Sequence, residues 1–334
     1  MKSLYFYRIT KVWFKYILAL VFHYLGINNF LLKRSKSAYI LMLHRISNSD
    51  DILNISIKPK NLKTAIDWCE QLGCITDMGC LYGENELNSR FAITFDDGYS
   101  SVLKVLELPK IVPMTVYLST GFIEKSRSFW ATYIESLLMK DRIRYIDLNE
   151  FNLGSYRLAS YRQRRNAILV LNKKIKLLHP SVIQEIINSL EDKFGNSDKN
   201  EFLNWNQVKQ LSEAGITIGS HTHNHAITSR LSKMDFEQEM QLSHELIEQK
   251  LGQEVQHFAY PNGQAQDIAP FCHEILRQKR FDTAVTTIEG GNAIDQDTYM
   301  LKRFNLSNER MENPWGKPSK AMFTSMLTNP LSIY

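Results

Sequence analysis

The sequence predicts an α/β protein built on a parallel sheet, open or closed, and three observations carry that prediction. Short apolar runs of strand character alternate along the chain with longer segments of helical period. The length of 334 residues suits a single α/β barrel, which often runs to roughly 200–250 residues or more as one unit. Polar clusters fall at the ends of four predicted strands, the edge where barrels and open α/β sheets assemble their sites.

The elements follow in order. "SAYILML" (37–43) reads as a strand, and "KNLKTAIDWCEQLG" (60–73) as a helix stopped by Gly73. "FAITF" (91–95) is a second strand, followed by a helix at about 100–107 and the strand "VPMTVYLS" (112–119). From Phe129 to Phe194 the pattern turns helical and polar, with a basic stretch from Arg157 to Lys176. A helix at 205–214 leads through Gly215 into the strand "ITIG" (216–219). A long helix at 233–251 stops at Gly252, and the strand "VQHFAY" (255–260), a helix at 267–279 and the strand "FDTAVTT" (281–287) complete the pattern. The simplest division is an N-terminal segment 1–36, one domain 37–310 with a helical insertion at about 129–204, and a tail 311–334.

Composition narrows the function classes. A hydrophobic share of 44% and a charged share of 22% are those of a globular protein with a sizeable core. The net charge of +5 is mild, and the aromatics sit in apolar patterns, not among basic residues, so a nucleic-acid partner is not expected. Cys69, Cys74, Cys80 and Cys272 contain no CxxC pair and read as free thiols. At the N-terminus, Lys2, Arg8, Lys11 and Lys15 precede the uncharged run "YILALVFHYLGINNFLL" (16–32). Three readings stand: a helix lying on the cytoplasmic leaflet, a helix packed on the domain, or a short span weakened by His23, Asn28 and Asn29. With no small-residue cleavage site, a cytoplasmic protein, held at the inner face of a membrane through residues 1–33, is the expectation.

The chemistry lies in the strand-end clusters. His44 follows the first strand, Asp96 and Asp97 the second, His221 and His225 the strand 216–219, and "YPNG" closes the strand 255–260. In "SHTHNH", His221 and His225 are four apart, so a turn brings both imidazoles to one side, while His223 faces away. Two imidazoles with a carboxylate form the open ligand set of a catalytic zinc site. Asp97 is the natural third ligand, which leaves Asp96 to take a proton from a water as general base. A cation also offsets the repulsion between adjacent carboxylates, and Gly98 permits the turn that presents both to one cavity.

These residues resemble the polysaccharide deacetylases, the NodB-homology or carbohydrate esterase family 4 enzymes. "TFDDG" (94–98) looks like their first motif, "SHTHNH" their second and "FAYPNG" (258–263) their third, with similarity over roughly 37–306. The resemblance implies a distorted (β/α)7-type barrel and metal-dependent removal of an N-acetyl group from an amino sugar. It assigns Asp96 as base, and Asp97, His221 and His225 as ligands of a divalent metal, zinc before cobalt, nickel or iron. Thr222 supports the histidine loop, the Tyr260 backbone N–H holds the oxyanion, and Pro261 shapes its turn. Two positions depart from the pattern. Ala259 stands where many members have an arginine, so the arginine that buttresses the base is missing there. The late histidine that serves as general acid is also absent, with Arg303 in its region. "LMLHR" (41–45) looks like that motif moved to the start of the chain, as in the circularly permuted branch, which makes His44 the proton donor or else an orienting residue. The implied substrate is an acetylated polysaccharide, lipopolysaccharide or lipid-linked glycan. An amidase or deformylase of another small amide, or a glycan-binding protein with a vestigial site, are the alternatives.

Overall fold

The computed structural model describes residues 2–35, 37–49, 51–81, 89–124, 129–195 and 201–329, with side chains from Val12 onward. Seven parallel strands build the barrel: β1 (Ala38–Leu43), β2 (Ser89–Phe95), β3 (Thr115–Leu118), β4 (Thr217–Ser220), β5 (His257–Ala259), β6 (Thr283–Val285) and β7 (Phe304–Asn305). Their order is β6-β5-β4-β3-β2-β1-β7, and a short strand Gly73–Ile75 pairs with the start of β2. The open ends of this curled sheet meet through one segment. Leu301 bridges Val285 of β6, and Phe304 pairs with Leu41 of β1. The result is the distorted (β/α)7-type barrel, closed at its seam by an isolated bridge and a two-residue strand.

Buried parallel strands read as continuous apolar runs because both faces are covered, and all six residues of β1 are buried. Within such a run the period of two still sorts side chains. Ile40, Ala92, Tyr117, Ala259, Val285 and Leu301 fill the barrel interior, whereas Leu41, Leu43, Ile93 and Phe95 join the larger core beneath the surrounding helices. The helix Lys233–Leu251 has the predicted bounds, set by a Ser232–Asp235 capping box and by Gly252 at φ 65°. Other boundaries shift. The 100–107 helix is a 3₁₀ helix, and the predicted 267–279 helix starts only at Cys272, after Pro270. All four cysteines are free.

The predicted helical insertion is not all helix. Helices Trp130–Met139, Tyr161–Ile175 and Pro180–Phe194 frame an antiparallel hairpin, Tyr145–Asp147 with Ser155–Arg157. They enclose a core of their own, including Leu137, Ile146, Ile168, Leu171 and Ile186. Buried Arg164 explains part of the basic stretch: its guanidinium donates to the carbonyls of Lys140 and Ile143 at 2.9 and 3.0 Å, capping chain that leaves the first helix.

The run 16–32 is not one helix. Helix Lys2–Tyr24 stops, the chain bends by 72°, and helix Ile27–Ser35 follows. Among the described residues no single helix is long and apolar enough to cross a membrane, although this bent pair passes that test together. One face of the first helix packs on the helix Lys320–Thr328, Ala19 against Ala321 and Met322, while Trp13 and Tyr16 meet Trp315 edge to face. Asn28 is wholly buried and donates to Thr324 Oγ1 and Ser325 Oγ at 3.1 and 2.9 Å. The segment 313–329, which carries no motif, is therefore the seat of the N-terminal helices.

Candidate active site

Strand parity decides what reaches the mouth of the barrel. Counting in twos from the interior positions, β1 leads from Ile40 through Met42 to His44, and β2 from Ala92 through Thr94 to Asp96. Met42, His44 and Asp96 line one cavity of about 730 Å³ at that mouth. Asp97 should point the other way, and a local turn redirects it. Its φ is 72°, and the Gly98 N–H donates to the Asp96 carbonyl at 2.9 Å across it. A non-glycine residue in that region carries strain of about 1–3 kcal/mol, typical of functional turns. Gly98 must be glycine: its φ is 85°, and a Cβ there would sit 2.9 Å from Leu118 Cδ2.

The turn delivers Asp97 to the two imidazoles. His221 Nε2 and His225 Nε2 each lie 3.3 Å from Asp97 Oδ1, and all three donor atoms fall within 4.8 Å of one another. His221 Nδ1 lies 2.7 Å from the Ala259 carbonyl, which fixes the tautomer that leaves Nε2 as a lone-pair donor. The imidazole contacts are poorly aligned, so Asp97 Oδ1 is buried without a hydrogen-bond partner. A buried carboxylate oxygen facing two imidazole nitrogens fits a divalent cation. Burial favours the neutral acid at Asp97, but His221 and His225 beside it outweigh that and hold its pKa well below the usual range. Burial likewise pulls the His221 pKa down, while Asp97 and Asp96 raise it on balance.

The histidine loop is braced from three sides. Thr222, at φ 62°, accepts the Ala226 N–H at 3.0 Å, as a loop-supporting residue should. Glu239, on the helix Lys233–Leu251, accepts the His223 and Asn224 N–H groups at 2.9 and 2.7 Å. His223 turns away from the ligands to Thr120 Oγ1, 2.9 Å distant, and Phe129 packs edge-on against His225.

Asp96 has the partner that the third motif lacks. Arg303, in the seam segment, donates to both carboxylate oxygens at 2.7 Å, with Arg303 0% and Asp96 2% exposed. It also donates to the Thr286 carbonyl at 2.7 Å and Thr94 Oγ1 at 3.1 Å. The buttressing arginine is therefore not missing; it comes from the seam segment, two positions along the sheet from Ala259, which leaves the third motif without one. Burial would raise the Asp96 pKa, and the Arg303 guanidinium reverses the sign and lowers it.

Two other expectations meet the geometry differently. The Tyr260 N–H donates to the Val285 carbonyl at 3.0 Å, as part of the sheet, so it is not free to hold an oxyanion. Pro261 does shape the next turn, its carbonyl accepting the Gly263 N–H at 2.7 Å around Asn262 at φ 59°. Asn262 lines the cavity, and its N–H has no protein acceptor among the described residues. His44 lines the cavity too, with Nδ1 buried and without a partner. Burial lowers its pKa, against the pull of Asp97 and Asp96.

Comparison with known proteins places the chain in a family. The polysaccharide deacetylase family model matches residues 84–278, a span holding Asp96, Asp97, His221 and His225 but neither His44 nor Arg303. No curated protein sequence matches the chain. Among solved structures, the Streptococcus pyogenes deacetylase PplD in complex with acetate superposes with a TM-score of 0.53 at 17% identity, covering 84% of this chain and 96% of PplD. IcaB from Ammonifex degensii gives 0.51 at 18%, covering 81% and 92%. BA0330 from Bacillus anthracis gives 0.51 at 16%; 81% of this chain is covered but only 65% of that one, so this chain spans less than two thirds of its length. At such identities the likenesses speak for the fold alone. The family match, covering more than half of the chain, says more: this chain belongs to the polysaccharide deacetylase family.

Proposed function

We propose that the protein hydrolyses the N-acetyl group of an amino sugar in a glycan, water and amide giving acetate and a free amine. The observation that carries this reading is the split of the aspartate pair, Asp97 turned to two imidazoles and Asp96 held by Arg303 at the same cavity. Asp97, His221 and His225 would hold a divalent cation, zinc by preference, which when bound supplies Lewis-acid polarisation of the carbonyl and of water. Asp96, kept ionised by Arg303, takes the water proton. The Asn262 N–H takes the oxyanion role first expected of Tyr260. His44 gives the leaving nitrogen its proton. The exposed stripe Phe14, Ile17 and Val21, opposite the packed face of the first helix, supports a peripheral contact with the inner face of a membrane.

Acetate release from acetylated glycans, with metal content measured in parallel, tests the assignment. Asp96→Asn should abolish turnover and keep the metal, whereas His221→Ala should lose both. Equal metal loss in the two variants sinks the division of roles, and release of formate in place of acetate redirects the substrate.

A further inference from the structure

The insertion's two long helices also present residues to the catalytic cavity, some of them shared with the insertion's own core. On Tyr161–Ile175, Ile168, Leu171 and Ile175 point into that core. Leu169, Asn172, Lys173 and the following Lys176, spaced as one helical face, line the catalytic cavity instead. On Pro180–Phe194 the cavity-facing residues are Pro180, Ile183, Gln184 and Ile187, again at helical spacing. One wall thus bears two lysines and the other is mostly aliphatic, with Gln184 its one polar side chain among these four. Neither Lys173 nor Lys176 has an ion-pair or hydrogen-bond partner for its side chain among the described residues. Lys174, on the other side of the helix, has one, donating to the Leu153 carbonyl at 2.9 Å.

A neutral sugar polymer would ask for something else along this wall, namely polar groups for its hydroxyls and aromatic faces for its rings. The cavity's aromatic residues, Phe129 and Trp130 among them, belong to its catalytic end, where Phe129 touches His225. Leu169, Leu178 and Ile183 line the same cavity, as do the two lysines, Lys173 and Lys176 lying on the helix of Leu169 and its continuation. Unpaired cations beside an apolar surface match an amphiphile that has a phosphate near its junction.

We propose that the substrate is an acetamido sugar joined through phosphate or pyrophosphate to a long aliphatic chain. The sugar sits at Asp96 and Asp97, the phosphate at Lys173 and Lys176, and the first part of the chain on Leu169, Leu178 and Ile183. This rests on the deacetylase reading and deepens it.

The test compares kcat/KM for acetate release from four compounds: decyl-pyrophosphoryl N-acetylglucosamine, UDP-N-acetylglucosamine, decyl N-acetylglucosaminide and chitin hexasaccharide. The first should exceed each of the others by about tenfold or more, and Lys173→Gln/Lys176→Gln should cost it about tenfold per lysine while leaving the decyl glycoside unchanged. Ile183→Asn should weaken both decyl compounds and spare the nucleotide sugar. Equal or faster turnover of the hexasaccharide, or a double variant without effect, overturns the proposal. If no compound releases acetate, the deacetylase reading fails, and calorimetry with decyl pyrophosphate, which has no acetyl group, decides the arm separately. Binding by the native protein that the double variant loses supports it, and no binding overturns it. Melting curves matching the native protein show that the variants fold.

Discussion

Replacing Arg303 by Met is the most informative perturbation, because it leaves Asp96 in place without its cation. The guanidinium makes four hydrogen bonds, two of them at 2.7 Å to a carboxylate that is 2% exposed. Removing one partner of a buried ion pair costs about 3–5 kcal/mol. The stranded Thr286 carbonyl adds about 1–3 kcal/mol. The sum, about 4–8 kcal/mol, is a large share of the roughly 5–15 kcal/mol by which domains are stable. The sign with pH follows from the lowered Asp96 pKa. The pair's contribution is fully present above the unfolded aspartate value of about 3.9 and is lost as pH falls through the folded value. In the variant, burial is opposed only by His221 and His44, so the pKa rises relative to the native protein's and acidification relieves the unpaired charge sooner. Urea unfolding should therefore show the largest gap between native and variant protein near neutral pH, and a shrinking gap as the pH falls. Arg303→Lys, which keeps a charge but loses the two-pronged geometry, should fold better and move the acid limb of kcat/KM upward. A gap below about 1 kcal/mol at neutral pH, well under the cost of breaking a buried pair, or a gap that ignores pH, would refute the reasoning.

Three further outcomes follow. His44→Gln should lower kcat by about 10²–10⁴, the range for a general acid, with metal content unchanged; near-normal turnover removes His44 from that role. Glu239→Ala strips the braces from the histidine loop and should weaken metal affinity about 10–100-fold, read by competition with a chelating dye, and an unchanged affinity would show the loop to be self-supporting. Gly98→Ala meets a positive φ and a 2.9 Å contact and should destabilise by about 1–3 kcal/mol; a melting temperature equal to the native protein's contradicts the turn geometry.

The Asp97, His221 and His225 cluster was legible because its signal is local: two histidines four apart, and an aspartate at a strand end, need only one turn each. The long helix at 233–251 was legible for the same reason, having its cap and stop written beside it. Arg303 was not. It stands 207 residues from Asp96, in a seam whose last strand is two residues long, and no period announces a strand so short. Tyr260 was misread because its N–H direction depends on which neighbour pairs with β5, a fact of sheet order. Asn28 looked like a flaw in an apolar run, whereas it is the buried clasp between the N-terminal helices and a helix some 296 residues further on.

The seam also carries a consequence for timing. Contacts between residues this far apart form late, since a long loop must close before they repay its entropy. Synthesis proceeds from the N-terminus, so Asp96, Asp97, His221 and His225 leave the ribosome well before Arg303 does. Until the seam segment arrives, Asp96 has no counter-ion and the barrel no final wall. A chain still being made thus presents Asp97, His221 and His225 before the arginine that pairs with Asp96 is in place.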